Sequence, residues 1–516
     1  MDGKNLEGIH NFRTYDFNKD ETKVILGKNI QPIYRRSKKG TYYVLSIESK
    51  KLHFIDKDIL EPTFSPDGQK IAYVKKNNLF VLDLTSYQKT QITKDGAINS
   101  IINGISDWVY EEEFGFVRAF EWNANSSSIA FLRFDETKVR EYSMGITGNQ
   151  LYPQEYIFKY PKAGEENAKV TLHIYHLKNR VTKKIELKNY EYIPRIKWSN
   201  KKNILIATIL NRRQNDLKLV KIDVNKGSLS LLLIEKDESY VSVNDHLMLL
   251  DDNSFIWESE KDGYNHLYHY NFEGNQINQI TQGDWEVTKY YGYDAKRRRI
   301  YYQSVENGNT NRGIYAIDLD GKNKKLLTNQ EGYNEASFSS SLHYFINEHS
   351  SSKTPPNYSL YTAEGKIIKI IIDNADLKDR LINYSLSPKE FSTIKINGND
   401  LNMWMIKPPY FDENKKYPLL MFQYSGPGSQ KVVNKWHDSK DYWHQLLSQK
   451  DVVIACVDGR GTGFKGRDFK KITQKELGKY EVEDQIATAK KLAKLSFIDR
   501  NRIGIWGWSY GGFMST

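Results

Sequence analysis

Short runs of alternating apolar and polar residues, separated by turns, occupy the chain from its start to about residue 385. A period of two residues is typical of half-buried strands. No long stretch of this region has the 3.6-residue period of an amphipathic helix. The pattern therefore predicts an all-β region over residues 1–385.

One arrangement recurs in this region: a small polar turn, in most copies preceded by an aromatic residue, and then an apolar strand. The copies are Phe64–Gly68 before Lys70–Val74, Trp122–Asn123 before Ile129–Leu132, Trp198–Ser199 before Ile204–Ala207, Asp251–Asn253 before Phe255–Trp257, and Tyr293–Asp294 before Ile300–Tyr302. Successive copies stand roughly 45 to 75 residues apart, the size of a four-stranded propeller blade with loop insertions. We predict a β-propeller, because radial repetition leaves only short strand edges. A large sandwich or a β-helix is the alternative, and the uneven spacing argues against the β-helix.

After about residue 385 the pattern changes. Two apolar runs, Leu419–Tyr424 and Asp451–Val457, predict buried strands, and Arg502–Gly507 predicts a third. A helix is predicted over residues 480–495, because apolar residues recur there with helical spacing at Val482, Ile486, Ala489 and Ala493. Strand, helix and strand in this order favour a parallel sheet with crossover helices over residues 386–516.

The composition is that of a folded, β-rich protein. Of the 516 residues, 39% are hydrophobic and 13% aromatic, and no run approaches the ~18 apolar residues of a membrane span. The net charge of +11 comes from 75 basic and 64 acidic residues scattered along the chain, with only short runs such as Arg297–Arg299. No nucleic-acid-binding module is recognisable, so we expect neither a nucleic-acid partner nor a membrane segment in this chain.

The cysteine count and the first residues bear on the compartment. The single cysteine, Cys456, lies within an apolar run and is expected to be a small core residue rather than a catalytic thiol. One cysteine forms no internal disulfide, which suits the cytosol but does not forbid the cell envelope. Because Met1–Asn5 does not begin a basic and then apolar stretch, we expect no secretory signal in this chain.

The third predicted strand of the second region leads into a G-x-S-x-G sequence, Gly507-Trp508-Ser509-Tyr510-Gly511. In a nucleophile elbow, a serine sits on a strained strand-to-helix turn and flanking glycines let the backbone approach closely. The position after a strand–helix–strand unit is the context that this motif requires. The sequence therefore predicts Ser509 as a catalytic nucleophile of an α/β-hydrolase domain.

Such a serine needs a base and an orienting acid, which follow it in α/β-hydrolases. All 11 histidines precede Ser509, and the last of them is His444. No acidic residue follows Ser509. We therefore expect residues 386–516 to be the N-terminal half of the domain. On this interpretation the acid and base lie beyond Thr516, and the chain by itself is inactive.

A second glycine motif, Gly461–Gly466, fits G-x-G-x-x-G and follows a strand. A dinucleotide fold also needs an acidic residue at the end of the next strand, and the stretch around Glu481 and Glu483 has the pattern of a helix instead. We expect a connecting loop here and no nicotinamide cofactor. No other cofactor and no metal site is indicated.

Three consecutive carboxylates, Glu111, Glu112 and Glu113, follow Asp107 within the aromatic stretch Asp107–Phe114. A solvated acidic turn is the simple interpretation. The alternative is a binding site for an ammonium group, because adjacent carboxylates raise one another's pKa unless a cation lies between them. The sequence pattern leaves both open.

Taken in order, the motifs resemble the dipeptidyl peptidase IV group of the prolyl oligopeptidase family of serine peptidases, in a bacterial form. The matching segments are Asp107–Phe114, Tyr160–Gly164, Phe255–Tyr268, Tyr424–Pro427, Asp458–Gly461, Glu481–Gln485 and Gly507–Gly512. The resemblance implies an eight-bladed propeller before the hydrolase domain. It also implies release of Xaa-Pro or Xaa-Ala dipeptides from peptides with a free N-terminus.

On the matching positions, the resemblance implies that Ser509 is acylated and that the Tyr424 hydroxyl and the Tyr510 backbone N–H form the oxyanion hole. Glu112 and Glu113 would bind the substrate's α-ammonium group and so limit the product to a dipeptide. The family's propeller arginine, which supports the substrate backbone, has no match that the sequence alone assigns. The resemblance also implies a homodimeric, periplasmic or envelope-located full-length parent. A non-enzymatic propeller interaction protein and a related oligopeptidase or acyl-peptide hydrolase are the alternatives.

Overall fold

The computed structural model describes residues 11–201, 203–245, 247–436 and 439–516. They fall into two compact units, one before and one after position 246. The first residues, on which the expectation of no secretory signal rests, lie outside the described residues.

The first unit is built almost entirely of strands. Its elements are β1 (Thr14–Phe17), β2 (Lys23–Pro32), β3 (Lys38–Ser46), β4 (Leu52–Phe64), β5 (Lys70–Lys75), β6 (Asn78–Asp83), β7 (Lys89–Gln91), β8 (Ile101–Asn103), α1 (Trp108–Glu113), β9 (Phe120–Trp122), β10 (Ser128–Asp135), β11 (Glu141–Ile146), β12 (Gln154–Lys159), β13 (Lys169–His176), β14 (Val181–Ile185), β15 (Tyr192–Trp198), β16 (Ile204–Leu210), β17 (Asp216–Asp223) and β18 (Ser228–Lys236). Strands β1 to β7 form one antiparallel sheet in chain order, and β15 to β18 form a four-stranded sheet in chain order. Strands β8, β9, β10, β13 and β14 form another sheet, from which β11 and β12 stand apart as a separate hairpin.

The second unit begins with three more four-stranded antiparallel sheets, each in chain order. Their strands are β19 (Met248–Leu249), β20 (Phe255–Ser259), β21 (His266–Tyr270), β22 (Gln276–Gln279), β23 (Val287–Asp294), β24 (Arg299–Ser304), β25 (Gly313–Asp318), β26 (Lys325–Leu326), β27 (Tyr333–Phe338), β28 (Tyr344–Ser351), β29 (Thr354–Thr362) and β30 (Ile367–Ile372). Repeated four-stranded meanders are the blades of a β-propeller. The predicted all-β region and its blade-sized repeat are therefore present.

The turns that recur in the sequence occupy a similar place in most of the sheets. Each copy joins the first strand of a sheet to a buried neighbour, as Trp198 ends β15 before β16 and Asp294 ends β23 before β24. The exceptions are the first copy, which joins β4 to β5 inside the seven-stranded sheet, and the second copy, which joins β9 to β10 in the sheet that begins with β8. The strands that follow the turns carry core residues such as Ile71, Ile129 and Ile300, all fully buried.

The remaining elements are α2 (Ala375–Ile382), β31 (Glu390–Ile396), β32 (Asn399–Ile406), β33 (Tyr417–Phe422), α3 (Ser439–Ser448), β34 (Val453–Asp458), α4 (Arg467–Lys471), α5 (Lys479–Leu492), β35 (Ile498–Trp506) and α6 (Tyr510–Ser515). The five strands form one sheet in the order β31-β32-β34-β33-β35. Strand β33 pairs in parallel with β34 and with β35, as predicted. The sheet is mixed rather than purely parallel, because β32 pairs antiparallel with both β31 and β34.

Helix α5 forms where the periodicity predicts it. Ala489 of the predicted apolar stripe packs against the core, but Val482 and Ile486 do not face it. Val482 is 38% and Ile486 50% exposed, whereas Glu481, Asp484, Gln485 and Thr488 are buried. Polar residues occupy the inner face because they have partners there, and these contacts belong to the candidate site. Cys456 lies fully buried in β34, and burial raises the pKa of its thiol.

The predicted domain boundary at residues 385/386 falls in the segment between α2 and β31, within the second unit. It stays a prediction. None of the helices in the described part of the chain combines the length and the apolar character needed to cross a bilayer.

Candidate active site

Ser509 lies on the turn between β35 and α6, in a conformation that side-chain-bearing residues rarely adopt. Its φ of 58° and ψ of −120° lie outside both the helical and the strand regions. Such backbone strain persists only where the surroundings enforce it, and it clusters at functional sites. The turn leaves Ser509 exposed at the start of the helix, which is the geometry of a nucleophile elbow.

The glycines on either side of Ser509 are there because the backbone segments touch. A Cβ on Gly507 would lie 2.5 Å from the carbonyl carbon of Gly511 and 2.6 Å from Gln423 O. A Cβ on Gly511 would lie 2.5 Å from Gln423 O and 3.1 Å from Tyr424 Cα. The elbow therefore packs directly on the end of β33, where Tyr424 lies.

Tyr424 follows β33, whose parallel neighbours end at Asp458 and Trp506. Parallel strands bring their carboxyl ends to the same edge, so Tyr424 and Ser509 emerge together. The rings of Tyr424 and Tyr510 lie 6.2 Å apart. The fully buried Gln423 ties the two segments together by donating hydrogen bonds to Gly511 O at 2.7 Å and Ser515 Oγ at 3.0 Å.

Tyr510 is the first residue of α6, and its side chain anchors that helix. Its hydroxyl donates to Glu481 Oε1 at 2.7 Å, while Oε2 of Glu481 accepts from Gly478 N at 3.1 Å. Burial and the bond to Glu481 raise the pKa of the Tyr510 phenol. The backbone N–H of Tyr510, in contrast, has no protein acceptor in the described part of the chain. As a first-turn N–H it is available to a developing negative charge.

The buried polar face of α5 continues this network. Asp484 accepts from Arg460 N at 2.8 Å and Arg460 Nη2 at 2.7 Å. Gln485 donates to Val457 O at 3.1 Å and to Ser425 Oγ at 3.3 Å. These contacts hold the segments that follow β33 and β34 against α5, at the edge of the sheet that carries the elbow.

The second glycine motif is explained by close packing of loops. A Cβ on Gly463 would lie 2.5 Å from Gly428 O, and Gly463 N donates to Ser429 O at 2.9 Å. A Cβ on Gly466 would likewise lie 3.1 Å from Gly263 O. The segment is a loop between β34 and α4, as the sequence predicts.

His444 is the last histidine before Ser509, and it does not reach the elbow surface. It is fully buried, with its ring 5.9 Å from that of Trp404, 5.1 Å from that of Phe422 and 5.4 Å from that of Trp506. The nearest carboxylate oxygen, on Asp441, is 3.7 Å from its Nδ1. His444 therefore packs in the core rather than against the exposed Ser509.

In the first unit, the acidic run forms the short helix α1 rather than a solvated turn. Asp107 caps it by accepting a hydrogen bond from Tyr110 N at 2.8 Å. Burial raises the pKa of Asp107 to about 7. The Tyr110 hydroxyl accepts from Ile193 N at 3.0 Å, which fixes the helix to the strand β15.

The three glutamates of the run have different surroundings. Glu111 is buried, and its Oε1 accepts from the backbone N–H groups of Arg36 at 2.6 Å and Ser37 at 2.9 Å. Glu112 is partly exposed and accepts from Arg35 Nε at 2.7 Å. Glu113 is exposed, and partial burial together with the charge of Glu112 raises its pKa. Glu111 is thus committed to the fold, whereas Glu112 and Glu113 face outward.

Sequence reasoning missed several residues of both clusters. Arg35 lies 77 positions from Glu112 and meets it only through the fold. Gln423, Glu481, Asp484 and Gln485 are polar residues whose sequence pattern gives no sign of burial. The available signals are their position next to a predicted strand end or on a predicted crossover helix and, for the three residues of α5, the resemblance of Glu481–Gln485 to a family motif.

Two family models match the chain. Residues 18–356 match the dipeptidyl peptidase IV N-terminal region, and residues 437–516 match the prolyl oligopeptidase family. These matches confirm the predicted propeller followed by part of an α/β-hydrolase domain.

Solved and curated relatives agree. The crystal structure of Porphyromonas gingivalis dipeptidyl peptidase 4 superposes with a TM-score of 0.95 at 39% identity, over 98% of this chain and 73% of that one. Dipeptidyl peptidase 4 of Trichophyton equinum is 32% identical over 97% of this chain and 68% of its own length. The protein named probable dipeptidyl-aminopeptidase B of Aspergillus terreus is 31% identical over 96% of this chain. This chain spans 58% of the length of that relative.

Proposed function

Because the chain belongs to the dipeptidyl peptidase IV group of the prolyl oligopeptidase family, we propose that its full-length protein is a serine exopeptidase that releases Xaa-Pro and Xaa-Ala dipeptides from peptides. The observation that carries this proposal is the strained, exposed Ser509 on an elbow whose Gly511 packs against the backbone of Tyr424. The outward-facing carboxylates of α1 support the exopeptidase specificity.

Ser509 is the proposed nucleophile. Its Oγ attacks the carbonyl carbon of the second substrate residue, and the hydroxyl proton passes to a general base that is not assigned among the described residues. The C–N bond then breaks as the leaving amine takes up a proton, which leaves the dipeptide as an ester of Ser509. Water hydrolyses this ester and restores the serine hydroxyl.

Tyr424 and Tyr510 are the proposed oxyanion donors. Attack places negative charge on the substrate carbonyl oxygen, and the Tyr424 hydroxyl and Tyr510 N–H donate hydrogen bonds to it. Preorganised donors of this kind typically contribute about 3 to 4 kcal/mol each to transition-state stabilisation. The Tyr510–Glu481 bond supports the assignment, because it fixes the helix that carries the N–H group.

Glu112 and Glu113 are the proposed binding group for the substrate's α-ammonium ion. Two carboxylates next to each other gain from a cation between them. Partial burial and, after it, the charge of Glu112 raise the pKa of Glu113, so a bound ammonium ion would favour its charged form. We propose that Arg35 is the propeller arginine that supports the substrate backbone, since its guanidinium already pairs with Glu112.

Hydrolysis of Gly-Pro-4-nitroanilide by the full-length protein tests this proposal, together with mass spectrometry of a peptide with Pro at its second position. The expected product is the N-terminal dipeptide, and Ser509→Ala should abolish its release. Tyr424→Phe should lower kcat by ~100-fold or more, with a smaller change in KM.

Two outcomes of the same assays would contradict the proposal. Cleavage of N-acetylated substrates at a comparable rate would indicate an oligopeptidase or acyl-peptide hydrolase. No cleavage, together with no labelling of Ser509 by a fluorophosphonate, would indicate a non-enzymatic interaction protein.

We also propose that the full-length protein forms a homodimer. The hairpin of β11 and β12 supports this, because it exposes apolar side chains, among them Met144, Ile146 and Ile157. Light scattering of the purified full-length protein should give twice the chain mass. A mass equal to one chain at micromolar concentration would contradict the proposal.

A further inference from the structure

We propose that Gln430 and Arg312 are positioning residues that hold the Tyr424 loop, residues 424–432, in the conformation that the oxyanion hole needs. The inference rests on the proposed function of Tyr424. On this inference, the segment that precedes propeller strand β25 helps to position an oxyanion donor at the hydrolase sheet. Both elements belong to the second unit.

The Gln430 side chain bridges the Tyr424 loop and the segment that precedes β25. Its Nε2 donates to Asn309 O at 2.7 Å and to Val432 O at 3.1 Å, while its Oε1 accepts from Arg312 Nη2 at 2.6 Å. Because a guanidinium only donates, it fixes the orientation of the amide and directs Nε2 at the two carbonyls. Arg312 thus determines that Gln430 donates to the carbonyl groups of Asn309 and Val432.

Arg312 is itself firmly held. It is 4% exposed, donates to Asn311 O at 2.9 Å, and lies 4.2 Å from the ring of Phe464. Burial lowers the pKa of its guanidinium to about 10, which leaves it protonated at neutral pH. A buried, charged and multiply bonded arginine is a rigid support for the loop.

The opposite side of the Tyr424 loop is held by Asp458, at the end of β34. Its buried carboxylate accepts from Lys431 N at 3.0 Å and Val432 N at 2.7 Å. The loop therefore has one support on the hydrolase sheet and one on the propeller side. Tyr424 is at one end of this loop, and a small shift of its hydroxyl is enough to weaken an oxyanion hydrogen bond.

The test is a double-mutant cycle in the full-length protein, with wild type, Gln430→Ala, Tyr424→Phe and the double variant. Gln430→Ala is expected to lower kcat for Gly-Pro-4-nitroanilide about tenfold, with KM within about twofold. The loss should be smaller than that of Tyr424→Phe, because the donor is misplaced rather than removed. In the Tyr424→Phe background the same change should cost less than about twofold, because the hydroxyl that it positions is gone.

Arg312→Lys should act in the same way, since the ammonium group keeps the charge but not the fork that binds Gln430. Arg299→Ala is the matched control: Arg299 pairs with Asp318 at 3.2 Å, at the other end of β25, and its loss should leave kcat within about twofold. An equal loss for Gln430→Ala in both backgrounds, or a change in KM alone, would overturn the proposal.

The rate of Ser509 labelling by a fluorophosphonate, measured on the same proteins, separates this inference from the proposed function. If the wild type is labelled but releases no dipeptide, the proposed substrate is wrong, and the labelling rates of the four proteins still decide the positioning role. If the wild type is neither labelled nor active, both proposals fail.

Discussion

The Tyr510 hydroxyl donates a 2.7 Å hydrogen bond to Glu481, which is fully buried at the start of α5. Tyr510 directly follows Ser509, so this bond links the elbow helix to the crossover helix that precedes it. The same carboxylate accepts from Gly478 N and so caps its own helix. One buried carboxylate thus fixes two helix starts relative to each other.

Tyr510→Phe should destabilise the fold by about 1 to 3 kcal/mol, because it leaves a buried carboxylate oxygen without its donor. The backbone N–H of residue 510 is retained, so kcat should fall less than in Tyr424→Phe. Chemical unfolding and steady-state kinetics of the full-length protein measure the two effects. Tyr410→Phe, at an 85% exposed tyrosine, is the control; equal stabilities of the two variants would contradict the role of the bond.

The elbow was predictable from the sequence because its requirements are local. A buried strand, a serine and glycines at fixed offsets specify a turn, and Ser509 has the strained backbone that the motif implies. The strand ending before Tyr424 was predictable for the same reason. Short-range periodicity also located α5 correctly.

The residues that support the site were not predictable, because their partners are distant in the sequence. Periodicity placed Val482 and Ile486 on the apolar face of α5, yet the buried face carries Glu481 and Asp484. A polar side chain is buried where it has a hydrogen-bond partner. Here the partners are Tyr510 for Glu481 and Arg460 for Asp484. The contact of Arg35 with Glu112 likewise depends on how the β2–β3 connection meets α1.

Gly507→Ala should disrupt the elbow, since its Cβ would lie 2.5 to 2.6 Å from backbone atoms of Gly511 and Gln423. Backbone atoms cannot move aside cheaply, so we expect a loss of about 1 to 3 kcal/mol in stability. Activity should fall at least ~100-fold, because the nucleophile moves. Gly504→Ala in β35, the strand that leads into the elbow, is the matched control, since the nearest atom, a side-chain carbon of Leu420, would be 3.5 Å away. Similar losses in both variants would show that close packing is not the cause.

Glu112→Gln and Glu113→Gln should each lower kcat/KM for Gly-Pro-4-nitroanilide by ~100-fold, the scale of losing one partner of a bound charge pair. Glu273→Gln, at an exposed blade turn, is the control and should stay within about twofold. If either glutamate variant behaved like the control, that residue would not bind the ammonium group.

The acid limb of the pH profile of kcat/KM should reflect the raised pKa of Glu113. A protonated carboxyl group cannot pair with an ammonium ion, so substrate binding should weaken as the pH falls through this pKa, at a higher pH than for an ordinary glutamate. Partial burial is the main cause of the shift and the charge of Glu112 the second. Glu112→Gln should therefore move the acid limb of the profile to lower pH, and a limb that stays in place would exclude coupling between the two carboxylates.

Asp107→Asn should change the pH dependence of stability. Burial raises the pKa of Asp107 from 3.8 to about 7 in the folded protein, so folding favours the neutral acid. This contribution to stability is complete below pH ~4 and is lost as the pH rises to ~7, because the unfolded chain ionises first.

Asparagine keeps the N-cap oxygen and does not ionise. The stability of Asp107→Asn relative to wild type should therefore increase between pH 4.5 and 7.5 and level off above, by at most about 4 kcal/mol at about 1.4 kcal/mol per pKa unit. Urea unfolding across this range measures it, with Asp320→Asn at an exposed turn as the control. Parallel stability curves for wild type and Asp107→Asn would show that the carboxyl group titrates normally.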